Sequence, residues 1–362
     1  MSGLALPHDR SLLRRYLLAG YVLMIVYASL SPFAGWQMPV AGFLEVLTSP
    51  QRPTYTAFDA IANCAAYLPL GLLLALTLHT RFRPLACVEL ATLAAVSLSL
   101  SMEYLQMYLP MRASASVDVL TNGLGALCGA LLAVWIAPQG WFMRATQWRI
   151  ALFQRGAGVD LGLSLAMLWM FAQINPSLPM LGNVFITEAA GQFASVPATF
   201  DLWGGIAVAV NLLLAGLLMQ TLFRLRRHAL SALLLMLALV ALGKFLMAAL
   251  LLKSWALMLW LNGEAMLGVL AGLALTAASF WLAPSRLWWA AAAVGSTYLA
   301  LAVRGLDSDA PSAAMRLYHW HYGHLRNFNV MSQIASAVFP LMLGIYLVWA
   351  RRRILEWKGN DR

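Results

Sequence analysis

The residues able to do chemistry gather in the first third of the chain: Asp59 and Asn63; Ser99, Glu103 and Gln106; Arg112, Ser114 and Ser116; Asp118 and Asn122. The first pair is spaced i, i+4, the second set i, i+4, i+7, and Asp118 and Asn122 again i, i+4, so in helices each set shares a face. The intervening sequence is strongly apolar. An ionisable side chain held in hydrocarbon costs roughly 3 kcal/mol or more unless it pairs or reaches water, so these residues mark a site. Glu103 and Asp118 are the candidate acid and base. Arg112 can meet either carboxylate or steady an anion. Asp59, Asn63, Gln106, Ser114, Ser116 and Asn122 can hydrogen-bond a ligand. Three carboxylates against one arginine leave an excess of negative charge. That excess requires a protonated acid or a bound cation, and oxygen donors without histidine favour Mg²⁺ or Ca²⁺ over Zn²⁺. No other cofactor is expected. The competing reading is a structural network that staples helix ends together.

Two further groups stand out. Lys244 and Glu264 fall at matching depth in successive apolar runs and are expected to form an intramembrane ion pair, either a helix tie or a proton relay. Three histidines lie within Tyr318-His319-Trp320-His321-Tyr322-Gly323-His324. An aromatic interfacial belt accounts for this run better than a zinc site, because three ligands alone are weak grounds for zinc. The three cysteines, Cys64, Cys87 and Cys128, form no CxxC pair and read as small packing residues. Walker loops, dinucleotide fingerprints, GxSxG and HExxH are all absent.

The elements that must position these residues are membrane helices. Of 362 residues, 62% are hydrophobic and only 10% charged, whereas a soluble domain is about 25% charged. The composition fits an all-α polytopic membrane bundle and excludes soluble, disordered and disulfide-scaffold classes. Spans of about 20 apolar residues are expected at 15–33, 58–80, 85–108, 117–137, 158–175, 203–223, 229–252, 255–282, 286–303 and 328–350, about ten in all. The net charge of +10 comes from short basic clusters between spans, the signature of orientation signals beside anionic lipid, and not of nucleic-acid binding. With both termini placed in the cytoplasm, most Lys and Arg fall on the cytoplasmic side. Loops 34–57, 176–202 and 304–327 then face outward. The acidic and amide stripes lie at the outer helix ends, Asn63 and Asn122 about 7 Å below the starts of their helices at ~1.5 Å per residue. Gly125 and Gly129 continue the Asp118–Asn122 face and predict close packing on a neighbouring helix.

Phe58-Asp59, Phe200-Asp201 and Phe328-Asn329 each open an apolar stretch that ends in arginines, at Arg81, Arg224 and Arg351. With Asn63 matching Gln333, this suggests a parallel four-helix repeat. The expected organisation is a cytoplasmic N-terminus at 1–14 and a transmembrane unit at 15–137. A basic linker at 138–157 follows, then a second unit at 158–350, read as a degenerate repeat, and a basic tail at 351–362.

The segments FDAIANCAAYLPLG (58–71) and SMEYLQMYLPMRASASVDVLTNGLGALCG (101–129) carry a resemblance. Their order of Asp59, Asn63, Pro69 and Gly71, then Glu103 and Gln106, Arg112 with Ser114 and Ser116, and Asp118, Asn122, Gly125 and Gly129 resembles the VanZ-like family of bacterial membrane proteins. The core of the likeness is 58–133. It implies a multi-pass protein of the bacterial inner membrane with a cell-envelope role, in a family whose founding member is linked to glycopeptide resistance. The expected function is binding or processing of an anionic envelope intermediate, such as a lipid-linked saccharide, in a polar outer-leaflet pocket. The alternatives are a transporter or flippase coupled through Lys244 and Glu264, and a non-catalytic assembly partner. The expected partner is a membrane lipid or lipid-linked precursor, and nucleic acid is not one.

Overall fold

The computed structural model describes residues 12–31, 33–40, 42–48, 56–110, 112, 114–154, 157–182, 202–306 and 323–360. Its helices are α1 (Leu13–Leu30), α2 (Phe43–Thr48), α3 (Ala57–Leu78), α4 (Pro84–Gln106), α5 (Ser116–Ile136), α6 (Gly140–Leu152), α7 (Ala157–Gln173), α8 (Leu202–Leu222), α9 (Arg227–Leu251), α10 (Gly263–Ser279), α11 (Pro284–Leu306) and α12 (Gly323–Asn360). The fold is a polytopic helical bundle. Each of the ten expected spans falls on one of these helices. Among the described residues, seven segments are long and apolar enough to cross a membrane: α1, α3, α4, α5, α8, α9 and Met331–Val348 within α12. The apolar helices at 158–173 and 263–279 are shorter, and α11 is not among the seven.

Local chemistry sets the boundaries. Thr56 and Asp59 form a reciprocal capping box at the start of α3, which satisfies helix-end N–H groups that have no partner within the helix. Pro84 opens α4 at a position where its missing N–H costs nothing. The expected span 255–282 divides. Ser254–Ala256 form a 3₁₀ turn, and the Asn262 side chain accepts the Ala265 N–H at 2.8 Å, so the helix starts at Gly263. Glu264 therefore lies in the first turn of α10 and not well inside a span.

The chain forms two compact units, Met1–Ala151 and Leu152–Arg362. In the first, α5 packs along α3 and α4, and α1 lies against α3 and α4. A Cβ added at Gly125, Gly129 or Gly71 would overlap the backbone at Cys64, Leu68 or Ala126 respectively. The α3–α5 contact is therefore backbone against backbone, and only glycine permits it. In the second unit α10 packs along α8 in the same manner. A Cβ at Gly268 would stand 2.6 Å from the Gly205 carbonyl oxygen, and one at Gly272 3.0 Å from that of Ala209. Of the three repeat-opening dipeptides, Phe200-Asp201 lies outside the described residues, as do His319, His321 and the side chains of His324 and Asn329. Gln333 Nε2 is buried without a hydrogen-bond partner among the described residues. Most of the stretch read as a basic linker is the helix α6, which has no buried residue.

Candidate functional site

The glycine contact draws the polar stripes of α3, α4 and α5 together. Asn63 Nδ2 donates to Asp118 Oδ1 at 2.6 Å, joining α3 to α5. Asn122 Nδ2 donates to Ser99 Oγ at 2.9 Å, joining α5 to α4. Glu103 Oε2 accepts the Ala115 N–H at 2.9 Å and so holds the turn that leads into α5. The Glu103 and Asp118 carboxylates are close enough to repel each other. Ser99 is fully buried, and Glu103, Asn122 and Ser114 are only 4%, 6% and 7% exposed.

Two buried polar atoms in this cluster lack a hydrogen-bond partner among the described residues: Asn122 Oδ1 and Ser114 Oγ. Ser114 lies beside Glu103, but not in hydrogen-bonding geometry. Tyr67 was not singled out from the sequence. It lies beside Ser99, Glu103 and Asp118, but makes no described hydrogen bond with Ser99. The signal was present, because Tyr67 continues the Asp59–Asn63 stripe by one more step of four. An aromatic residue in an apolar helix reads first as packing.

Other expected site residues do different work. Asp59 Oδ2 accepts the Thr56 N–H at 2.9 Å and the Thr56 hydroxyl at 2.8 Å, a helix-capping role. Ser116 opens α5 and is half-buried. Arg112 and Gln106 serve the end of α1. A helix leaves its last four carbonyls without intrahelical partners, and in α1 each finds a donor. Ser31 N–H serves Tyr27, Arg112 Nη2 serves Ala28 at 2.7 Å, Gln106 Nε2 serves Ser29 at 3.0 Å, and Phe33 N–H serves Leu30. Arg112 also donates to the Ser31 carbonyl through Nε at 3.1 Å and Nη2 at 2.7 Å. Burial lowers the Arg112 pKa from its ordinary value. The expected pairing of Arg112 with Glu103 or Asp118 is thus not what its described hydrogen bonds make. Nor are three His, Cys, Asp or Glu side chains gathered closely enough to hold a metal ion among the described residues. Asp59 belongs to its cap.

The second unit holds a separate polar centre. Lys244 is fully buried, and its ammonium donates to the carbonyls of Asn175, Leu178 (2.9 Å) and Pro179 (3.4 Å). The expected ion pair with Glu264 is corrected by this arrangement. Glu264 sits in the first turn of α10, where it accepts from Asn262 Nδ2 at 3.1 Å. Around the same loop, Asn211 Oδ1 accepts from Trp169 Nε1 at 2.7 Å, and Asn211 Nδ2 donates to the Leu181 carbonyl at 3.0 Å. Asn175 Oδ1 binds the Ser177 N–H and hydroxyl. Spacing along one helix could not reveal these contacts, because their acceptors lie in the loop after α7.

Residues 11–137 match the family model VanZ/LLP1. This stretch contains every residue of the first-unit cluster, and over it the chain is similar to that family; its apolar helices suit a multi-pass membrane protein. No curated protein and no solved structure matches the chain.

Proposed function

We propose that the VanZ-like unit receives the hydroxyl- and amide-bearing head group of a lipid-linked saccharide of the bacterial envelope, at the outer leaflet, in the cluster of Tyr67, Glu103, Ser114, Asp118 and Asn122. The observation that carries this reading is Asn122 Oδ1, an acceptor on a side chain only 6% exposed, with no described partner. Leaving such a group unpaired costs about 1–3 kcal/mol, which a ligand donor would recover. The two neighbouring carboxylates add acceptors, so the cluster suits O–H and N–H donors. The phosphate of such an intermediate would lie away from the carboxylates, toward the head-group region. Acid–base work in the same hollow falls to Glu103 and Asp118. This is an envelope-related binding or processing role.

A second reading is supported by the internal hydrogen bonds of Asp59, Glu103 and Asp118, which also suit a non-catalytic staple in an assembly partner. Native mass spectrometry of the purified full-length protein separates the two. The ligand reading expects a co-purifying phospho- or pyrophospho-lipid saccharide that is lost in Glu103→Gln and Asn122→Leu, with the fold retained. The glutamine can still accept the Ala115 N–H. Retention of that mass in both variants overturns the ligand reading, and loss of fold in both establishes the staple. The transporter alternative loses its proposed coupling element, because Lys244 is bound by carbonyls and not by Glu264.

A further inference from the structure

Helix α7 ends at Gln173 after 17 residues, about 25 Å of helix, short of the roughly 30 Å of a bilayer's hydrocarbon core. The chain does not emerge there. Residues Ile174–Gly182 are not helical, and from Asn175 to Gly182 all but Pro179 are buried. Their partners fix how deep they lie. Lys244, which binds the carbonyls of Asn175, Leu178 and Pro179, stands seven residues before the end of α9 at Leu251, about 10 Å along the axis. Asn211, which donates to the Leu181 carbonyl, stands nine residues after the start of α8 at Leu202, about 13 Å along the axis. Both of those helix ends face outward by the orientation of the basic clusters. The segment therefore re-enters the second unit from the outer side. Non-helical backbone at such depth persists only where protein covers it and satisfies its polar groups.

The segment is built from two small turns. Asn175 Oδ1 closes one on the Ser177 N–H and hydroxyl, and the Gly182 N–H closes the other on the Pro179 carbonyl at 3.1 Å. Its ties to the rest of the unit come from separate elements: Lys244 on α9, Asn211 on α8, and the Trp260 carbonyl between α9 and α10, which accepts the Met180 N–H at 2.7 Å. This arrangement keeps unfavourable features. Leu181 has φ 61°, the left-handed region, at a turn position that favours glycine. Lys244 is fully buried, and the groups that hold its ammonium are neutral carbonyls, although a buried charge is costly without an opposite charge. Gln173, 3% exposed, carries an Nε2 without a hydrogen-bond partner among the described residues, just where the segment begins. Strain and an unmet polar group gathered in one short stretch point to a second arrangement of the segment and not to a passive connection. With the segment moved outward, Leu181 relaxes, and Lys244 and Gln173 reach water.

We propose that Ile174–Gly182 is a re-entrant plug latched by Lys244. It moves outward as one piece, its two turns intact, and uncovers Gln173 and the Asn211 amide, so that the outer side of the second unit alternates between a closed and an open state. Such a local opening precedes unfolding of the helices around it. The test is labelling of Ser177→Cys by a membrane-impermeant methanethiosulfonate in the full-length protein, with labelling of the unsubstituted chain subtracted and Leu212→Cys as the reference. Ser177 and Leu212 are both fully buried, the first in the plug and the second within α8. Opening exposes Ser177→Cys and leaves Leu212→Cys shut, so the first labels at least tenfold faster. Met180→Cys labels at the rate of Ser177→Cys, because the plug moves as one piece. Lys244→Met raises the rate at both plug positions at least tenfold further and leaves Leu212→Cys unchanged. The proposal is overturned if plug and helix positions label at equal rates, which would mean that the segment leaves only when the unit unfolds. It is equally overturned if Lys244→Met raises all three rates alike, or none of them. If Lys244→Met fails to fold, hydrogen exchange of the unmodified protein decides. The Met180 amide then exchanges at least tenfold faster than the α8 amides of Leu212–Leu218, and equal protection overturns the plug.

Discussion

Gly125→Ala is the sharpest test of how the first unit is built. The added methyl would overlap the Cys64 carbonyl, which is backbone and cannot swing away as a side-chain end could. Helices α3 and α5 must therefore separate or slide. Overpacking of this kind costs typically 1–3 kcal/mol, and a backbone obstacle puts the expected loss near 3 kcal/mol. A second consequence follows at the site. Asn63 and Asp118 bridge these same two helices at 2.6 Å, and a hydrogen bond weakens steeply once the helices shift. In the native background Asn63→Ala should cost about 1.5–3 kcal/mol, the range for a hydrogen bond to a charged group. In the Gly125→Ala background it should cost almost nothing. The assay is a double-mutant cycle read by steric trapping or detergent-denaturant unfolding. Gly140→Ala is the control, because no atom lies within 4 Å of its Cβ position. A loss below about 0.5 kcal/mol for Gly125→Ala, or independent costs in the cycle, would refute the claim that glycine contact sets the geometry of the polar cluster.

Three other substitutions probe separate links. Arg112→Ala leaves the Ala28 and Ser31 carbonyls without their guanidinium donor and should raise hydrogen exchange at the end of α1, with α3 and α5 unaffected; unchanged exchange there would remove Arg112 from this role. Lys244→Met and Glu264→Gln should behave independently, with a coupling energy under about 0.5 kcal/mol in a double-mutant cycle, because Lys244 is held by carbonyls; coupling of 1 kcal/mol or more would restore the ion pair. Asn211→Leu strands the Trp169 N–H and the Leu181 carbonyl and should destabilise the second unit by about 2–4 kcal/mol, at 1–3 kcal/mol per unpaired buried group, seen in unfolding titrations monitored by tryptophan fluorescence; a loss under about 0.5 kcal/mol would mean that water replaces both bonds.

What was legible in the sequence was whatever repeats at helical spacing. The apolar runs became helices close to their expected limits, and the i, i+4 stripes of α3, α4 and α5 do face one another. The Gly125–Gly129 face presses on α3. What was hidden depended on contacts between distant segments or on a local cap. Nothing near Arg112 in sequence reveals that the carbonyls of Ala28 and Ser31, more than eighty residues away, would take its donors. Glu264 looked deep because the run from Trp255 is continuously apolar. The Asn262 side chain overrode that pattern by capping a helix start. Tyr67 was passed over because its hydroxyl matters only once α4 brings Ser99 beside it.

The roles of Arg112 and Lys244 bear on which polar residues can be functional. Each is a cation committed to backbone carbonyls at or just beyond the end of its unit's first helix, α1 in one case and α7 in the other. A carbonyl left bare in or near hydrocarbon costs several kcal/mol, and a long cationic side chain with several donors can serve two or three at once. Gln106 in the first unit does the same for Ser29. Removing these helix-end donors, and Asp59 with its cap, from the set of polar residues leaves Asn63, Tyr67, Ser99, Glu103, Ser114, Ser116, Asp118 and Asn122. In that remainder the acceptors outnumber the described donors, and two buried atoms have no described partner. A network built only to hold helices would be expected to close its hydrogen bonds, as the Asn211 cluster does with Trp169 and Leu181. The surplus of acceptors in the first unit is thus the reason to place ligand chemistry there; unpartnered buried atoms alone do not choose it, because Gln173, Thr276 and Gln333 carry such atoms in the second unit.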